Sequence, residues 1–184
     1  MRSTVGKQAF GYAVGIDLGL RAPQQRIIFI QQSETERLIS MEGFDQDDLQ
    51  NAILCVWKEA RGDGYEAMNA VAHVIFNRVG APGFPDTLHD VIYGKNQFSS
   101  MSISTDPQYN LPTPSVTDPE YPSYLDAANI VNAIVAGTSS DPTNGALYYA
   151  NLEESTSGWF FRHIVEDPLN HPVRATIGHQ VFYA

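Results

Sequence analysis

Trp57-Lys58-Glu59-Ala60-Arg61-Gly62-Asp63-Gly64 is the stretch on which the reading of the chain turns. Upstream of it, Leu49, Ala52, Ile53, Val56, Trp57 and Ala60 recur at helical spacing and predict an amphipathic helix over 47–61. At about 100° per residue, Glu59 falls roughly a quarter-turn from the middle of that stripe, on the border between packed and solvated faces. Lys58 is expected to point into solvent. Downstream of the two glycines, Ala67, Met68, Ala70, Val71, Ala72, Val74, Ile75, Phe76 and Val79 cover most of a second helix, expected over 65–79. A helix apolar around most of its circumference is normally central. Its polar residues Glu66, Asn69, His73 and Asn77 share one narrow strip, and Arg78 on the apolar side needs a partner. A carboxylate at such a junction is held by packing on one side and open to a cleft on the other, which makes Glu59 a candidate catalytic acid.

Working outward, Asp45 or Asp47 offers an N-cap for the first helix. Gly80, Pro82, Gly83 and Pro85 stop the second, and Asp86 caps a short helix running to about Tyr93. Five prolines between Thr105 and Pro122 predict a long surface loop. A third long helix follows over 121–136, ended by Gly137. Ala146–Asn151 and Ala175–Tyr183 read as strands, Trp159-Phe160-Phe161 as a strand or aromatic loop, and Arg26–Ile30 as a short strand. Residues 1–45 are glycine-punctuated and form an arm of unknown role; 46–184 make one domain.

The 184 residues are 43% hydrophobic, enough for one well-buried core. Eleven Lys and Arg against 21 Asp and Glu give a net charge of -10. That acidity removes any overall field toward nucleic acid, and a polyanionic substrate would have to meet a local patch or neutral sugar contacts. No run of about 18 apolar residues predicts a transmembrane helix, so stable membrane insertion is not expected. The glycine-broken first 20 residues lack a compact apolar signal region. The expected route is synthesis in the cytoplasm without a signal peptide. The single cysteine, Cys55, reads as a small buried hydrophobe.

Glu59 and Asp63 are four apart, the spacing of a same-face pair, and glycosidases that use two carboxylates hold them about 5–9 Å apart. An acidic pair near a helix end is ordinarily solvated charge, and Gly62 breaks the helix between these two. His163-Ile164-Val165-Glu166 with His171 and His179 supplies ligand types for a zinc amidase. Pro168 and Pro172 forbid one continuous helix presenting them, so surface or hydrogen-bonding histidines is the favoured reading, with no metal and no cofactor. No Gly-x-Ser-x-Gly and no phosphate loop is present. Tyr148, Tyr149, Trp159, Phe160 and Phe161 could stack on sugars, although such clusters more often belong to a core.

The order of the pieces carries further information. Glu59-Ala-Arg-Gly-Asp-Gly, Ala70–Val79 with Asn77-Arg78, Phe84-Pro85-Asp86-Thr87, Gln97-Phe98-Ser99, Gly145–Asn151 and Thr176–Tyr183 together resemble the SleB-type cell-wall hydrolase family of spore-cortex-lytic enzymes. The similarity spans about Leu49 to Tyr183. It implies an α+β, mainly helical fold with a lysozyme-like, lytic-transglycosylase-like core and a small β-element. It also implies cleavage of peptidoglycan glycan strands between N-acetylmuramic acid and N-acetylglucosamine, with Glu59 as acid and base. Gln97, Ser99, Tyr148 and Asn151 are expected to line the groove. The family more often has glutamate where this chain has Asp63. Without an export signal, such a chain resembles a phage endolysin or virion-associated lysin, working in a holin-dependent or virion context. The rival readings are a non-catalytic virion or wall-binding protein that kept the fold, and the zinc amidase.

Overall fold

The computed structural model describes residues 44–95, 97–153 and 157–184. The arm expected over residues 1–45 and the strand at Arg26–Ile30 fall outside them, save for residues 44 and 45. Helix α1 runs Gln46–Ala60 and starts where expected: Asp45 is extended and its Oδ1 accepts from the Asp47 N–H at 2.7 Å. A 3-10 turn, Arg61–Asp63, joins it to α2, Gly64–Arg78. The corner needs Gly64, whose φ of 84° is left-handed, so of the two glycines it is the second that turns the chain.

Helix α5, Tyr121–Val135, carries Pro122 in its first turn and packs with α1 and α2. Between α2 and α5 lie two short helices, α3 at Leu88–Tyr93 and α4 at Ser99–Ser102. Thr87 rather than Asp86 caps α3, its Oγ1 accepting from the Asp90 N–H at 3.1 Å. From Thr105 to Glu120 the chain forms neither helix nor strand, as its prolines dictate. The core gathers Val56 and Trp57 of α1, Met68, Val71 and Ile75 of α2, Ile92 of α3, Phe98, Ile130 and Phe182. Cys55 is wholly buried in it. Among the described residues no helix is long and apolar enough to cross a membrane.

The polar strip of α2 has a structural use. Asn69 Oδ1 accepts from Ser139 Oγ, His73 Nε2 lies 2.9 Å from the same hydroxyl, and Asn77 Nδ2 donates to Asp141 and to the Ala146 carbonyl. Asp141 in turn ties its own loop, accepting from the Thr143 N–H, the Thr143 hydroxyl and the Gly145 N–H at 2.6–2.7 Å. The strip therefore pins residues 139–146 to the central helix.

That pinned turn feeds β1, Tyr148–Asn151, in an antiparallel sheet of order β1-β3-β2. The single strand expected over Ala175–Tyr183 is instead a hairpin, β2 at Val173–Ile177 and β3 at Gln180–Tyr183. Ile177 pairs with Gln180 across Gly178-His179, and Gly178 has φ 58°, the first-position glycine that a type II′ turn requires. Alternation of apolar residues alone does not register such a break.

Lys58 also departs from expectation. It is 4% exposed, and its Nζ donates to the Ser100 carbonyl at 3.3 Å and the Tyr109 carbonyl at 2.9 Å. Helical periodicity places it on the polar face correctly, but the segment after α3 folds across that face and supplies carbonyls to the ammonium.

Candidate active site

Glu59, one residue from the end of α1, is half-buried and reached from two other elements. The Ser100 hydroxyl of α4 donates to Oε1 at 2.5 Å, and the Tyr149 hydroxyl of β1 donates to Oε2 at 3.2 Å. Tyr149 is positioned by stacking on Phe182 of β3, ring centroids 5.8 Å apart. Burial raises the pKa of Glu59 above the usual carboxylate range, and the negative charge of Asp106 adds to the rise. The Ser100 and Tyr149 hydroxyls oppose it by stabilising the charged form. Burial, then the neighbouring Glu59 charge, pushes the Tyr149 phenol well above its ordinary range, so it remains a donor.

The carboxyl group opens into a cavity of about 800 Å³, within the roughly 300–1,000 Å³ of ligand clefts. Among the described lining residues the charged side chains are Glu59, Arg78 and Lys95. Arg78 has the partners it needed. Its Nε donates to the Leu147 carbonyl at 2.7 Å and its Nη1 to Gln97 Oε1 at 3.0 Å. The rings of Phe84 and Phe98 lie 5.2 and 5.3 Å from the guanidinium carbon.

The groove residues expected from sequence divide. Gln97 and Tyr148 line the cavity with Glu59. Ser99 does not: it is exposed and donates to Asp106, while its neighbour Ser100, 1% exposed, turns toward the glutamate. The choice follows from Phe98 and Met101, whose burial in the core rotates the four-residue helix α4. Asn151 also lies outside the lining and caps its own turn, accepting from the Glu153 N–H at 3.1 Å. Tyr149, Trp159 and Phe160 are on the cavity wall, and Tyr149 packs against the core as well. Asp63 turns away to the β2–β3 hairpin, accepting from Gln180 Nε2 at 3.1 Å with His179 Nδ1 at 3.3 Å.

The histidines weighed as zinc ligands are dispersed. His163 Nδ1 donates to the Trp159 carbonyl, His171 Nδ1 to the Ala184 carbonyl, and His179 faces Asp63. Among the described residues no three His, Cys, Asp or Glu side chains converge as a metal site needs.

A family model described as Cell Wall Hydrolase matches residues 62–183, beginning just beyond Glu59. The chain is 37% identical over 120 residues to the spore cortex-lytic enzyme of Oceanobacillus iheyensis, covering 65% of this chain and 38% of the relative. It is 34% identical over 119 residues to that of Bacillus subtilis, covering 65% and 34%. The chain therefore spans little more than a third of these curated relatives' length. Among solved structures it is similar to the catalytic domain of the germination-specific lytic transglycosylase SleB from Bacillus anthracis. There the TM-score is 0.55 at 34% identity, covering 78% of this chain and 98% of that one. The catalytic domain of Bacillus cereus SleB gives 0.53 at 34% identity, covering 78% and 94%. A mainly helical core with a three-stranded sheet, a family model spanning two-thirds of the sequence and near-complete coverage of these catalytic domains lead to one assignment: the chain belongs to the SleB-type cell-wall hydrolase family.

Proposed function

We propose that residues 46–184 are a lytic transglycosylase domain that cuts the bond between N-acetylmuramic acid and N-acetylglucosamine in peptidoglycan, with Glu59 as its one acid and base. The observation that carries this reading is the Glu59 carboxyl group, raised in pKa by burial, opening into the cavity and bracketed by the Ser100 and Tyr149 hydroxyls. A carboxyl group that stays protonated where a surface glutamate ionises can give its proton to the glycosidic oxygen. The C1–O4 bond then breaks, its electron pair leaves with the oxygen, and positive charge develops at C1 of the muramoyl residue. The new Glu59 carboxylate accepts from Ser100 and Tyr149 at the moment it forms. It next takes the proton of the C6 hydroxyl as that oxygen bonds to C1, closing a 1,6-anhydro ring and restoring the acid. One carboxylate serves both steps, and among the described lining residues Glu59 is the only one.

Digestion of purified peptidoglycan followed by mass spectrometry tests the reading. The expected product is lighter by one water than a hydrolysed muropeptide, and Glu59→Gln is expected to lower its release by about 10²–10⁴-fold. A product carrying the added water would make the chain a hydrolytic muramidase; cleavage of an amide, or full activity in Glu59→Gln, would overturn the assignment. A holin-dependent or virion-borne lysin, made in the cytoplasm and reaching the wall on release, is the context we propose. Clearing of whole walls by the purified chain added from outside would support it.

A further inference from the structure

Trp159 is a large aromatic residue left 56% exposed on the wall of the cleft, and its surroundings explain why. The short helix α6, Gly158–Phe160, is capped by Ser157, whose Oγ accepts from the Phe160 N–H at 3.2 Å. It runs straight into a π-type turn, Phe161–Val165. Two side chains of this segment anchor it inward: Phe160 packs edge-on against Tyr183 at 5.9 Å, and Ile164 is buried. That anchoring turns Trp159 and His163, four apart, outward together. Their rings stack at 4.8 Å between centroids and 13° between planes. The His163 ring is itself fixed, Nδ1 donating to the Trp159 carbonyl at 2.8 Å. One face of the indole is thus covered by an imidazole that cannot swing away without losing a hydrogen bond, while more than half of the residue remains open.

We propose that Trp159, backed by His163, is a stacking platform for a pyranose ring of the glycan strand, and that it sets affinity for the strand rather than the rate of bond cleavage. The class of ligand follows from the wall around it. A hexopyranose presents a C–H face that packs on an indole and a hydroxyl and acetamide rim that needs polar partners. The same cavity offers both, aromatic faces at Trp159 and Tyr148 and polar groups at Gln97, Lys95 and Ser157. A ring pre-set by its neighbours loses little freedom on binding, which favours affinity. This deepens the peptidoglycan reading and rests on it for the identity of the strand, but not for the stacking.

Binding is measured on Glu59→Gln, with two probes, a soluble β-1,4-linked N-acetylglucosamine oligomer and peptide-stripped glycan strands. The chain has two tryptophans, and Trp57 is 3% exposed with its Nε1 donating to Ser123, so a cleft signal reports Trp159. A saturable fluorescence change is expected, with affinity by calorimetry falling about tenfold when Trp159→Leu is added and partly restored by Trp159→Phe. In the active protein, Trp159→Leu is expected to raise KM about tenfold with less than about threefold change in kcat, and His163→Ala to raise KM less. Circular dichroism checks that the variants fold, and Trp159→Phe carries the test should Trp159→Leu not fold. Unchanged affinity and KM without the indole, a loss confined to kcat, or no saturable binding of either probe would overturn the platform. If Trp159→Leu binds normally while Glu59→Gln is inactive, the platform alone fails. If binding is lost in Trp159→Leu while Glu59→Gln still cleaves, the acid assignment alone fails.

Discussion

The hydroxyl of Ser100 donates to Glu59 Oε1 at 2.5 Å, while the carbonyl of the same serine accepts from Lys58 Nζ at 3.3 Å. Two consecutive residues of α1 therefore hold one serine, Lys58 by its backbone and Glu59 by its side chain. The serine's bond to the charged form opposes the rise in the glutamate's pKa. Ser100→Ala is expected to move the alkaline limb of kcat against pH to higher pH and to lower the maximum about tenfold. Steady-state assays across pH, with a thermal melt as folding control, measure both.

Asp106 acts in the opposite sense. Its negative charge helps keep Glu59 protonated. The acid form is the active one at the first step, so activity falls as pH rises through the folded pKa of Glu59, above the ordinary glutamate range. Asp106→Asn keeps an acceptor for the Gln108 N–H, turns an amide donor toward the Ser99 hydroxyl and removes the charge. The alkaline limb should then shift to lower pH; a shift upward would contradict the electrostatic assignment.

Lys58 carries a stability prediction. Burial lowers its pKa, yet its ammonium supplies donors to two carbonyls that sit 42 and 51 residues away along the chain. Lys58→Met leaves both carbonyls without that donor and is expected to cost about 1–3 kcal/mol in denaturant unfolding. Because Ser100 is released as well, kcat should fall along with stability. A stable, fully active variant would show that the clamp is idle.

His73 makes the fold acid-sensitive. Burial lowers its pKa, with Asp141 partly countering. A base whose folded pKa is depressed takes up its proton first in the unfolded chain, so its contribution is intact above about pH 6.5 and declines as pH falls below that value. Unfolding free energies measured between pH 7 and 5 should drop for the parent, and the slope should be shallower in His73→Gln.

The three long helices were legible because each buries a stripe wide enough to set a period, and the Asn69, His73, Asn77 strip was visible as an interruption of one. Glu59 stood out because it sits at the margin of such a stripe. Ser100 could not be told from Ser99, since a four-residue helix has no period and its rotation is fixed by Phe98 and Met101 in the core. The burial of Lys58 is illegible in the sequence for a related reason: a segment about 40 to 50 positions downstream, not the helix, decides its surroundings. The hairpin at Gly178-His179 was hidden inside an apolar run, where only the left-handed glycine marks the corner.

Asp141 is fastened to Asn77, the Ala146 carbonyl to Asn77 as well, and the Leu147 carbonyl to Arg78, so the entry to β1 is indexed against the last turn of α2. Side chains along a strand alternate, and a slip of one position exchanges the two faces. Removing one residue between Gly145 and Tyr148 would slide Ala150 opposite Glu59 and leave the carboxylate without its phenol, whereas adding one would deliver Tyr148 there. Which phenol meets the carboxylate is therefore set by a count of residues from the central helix.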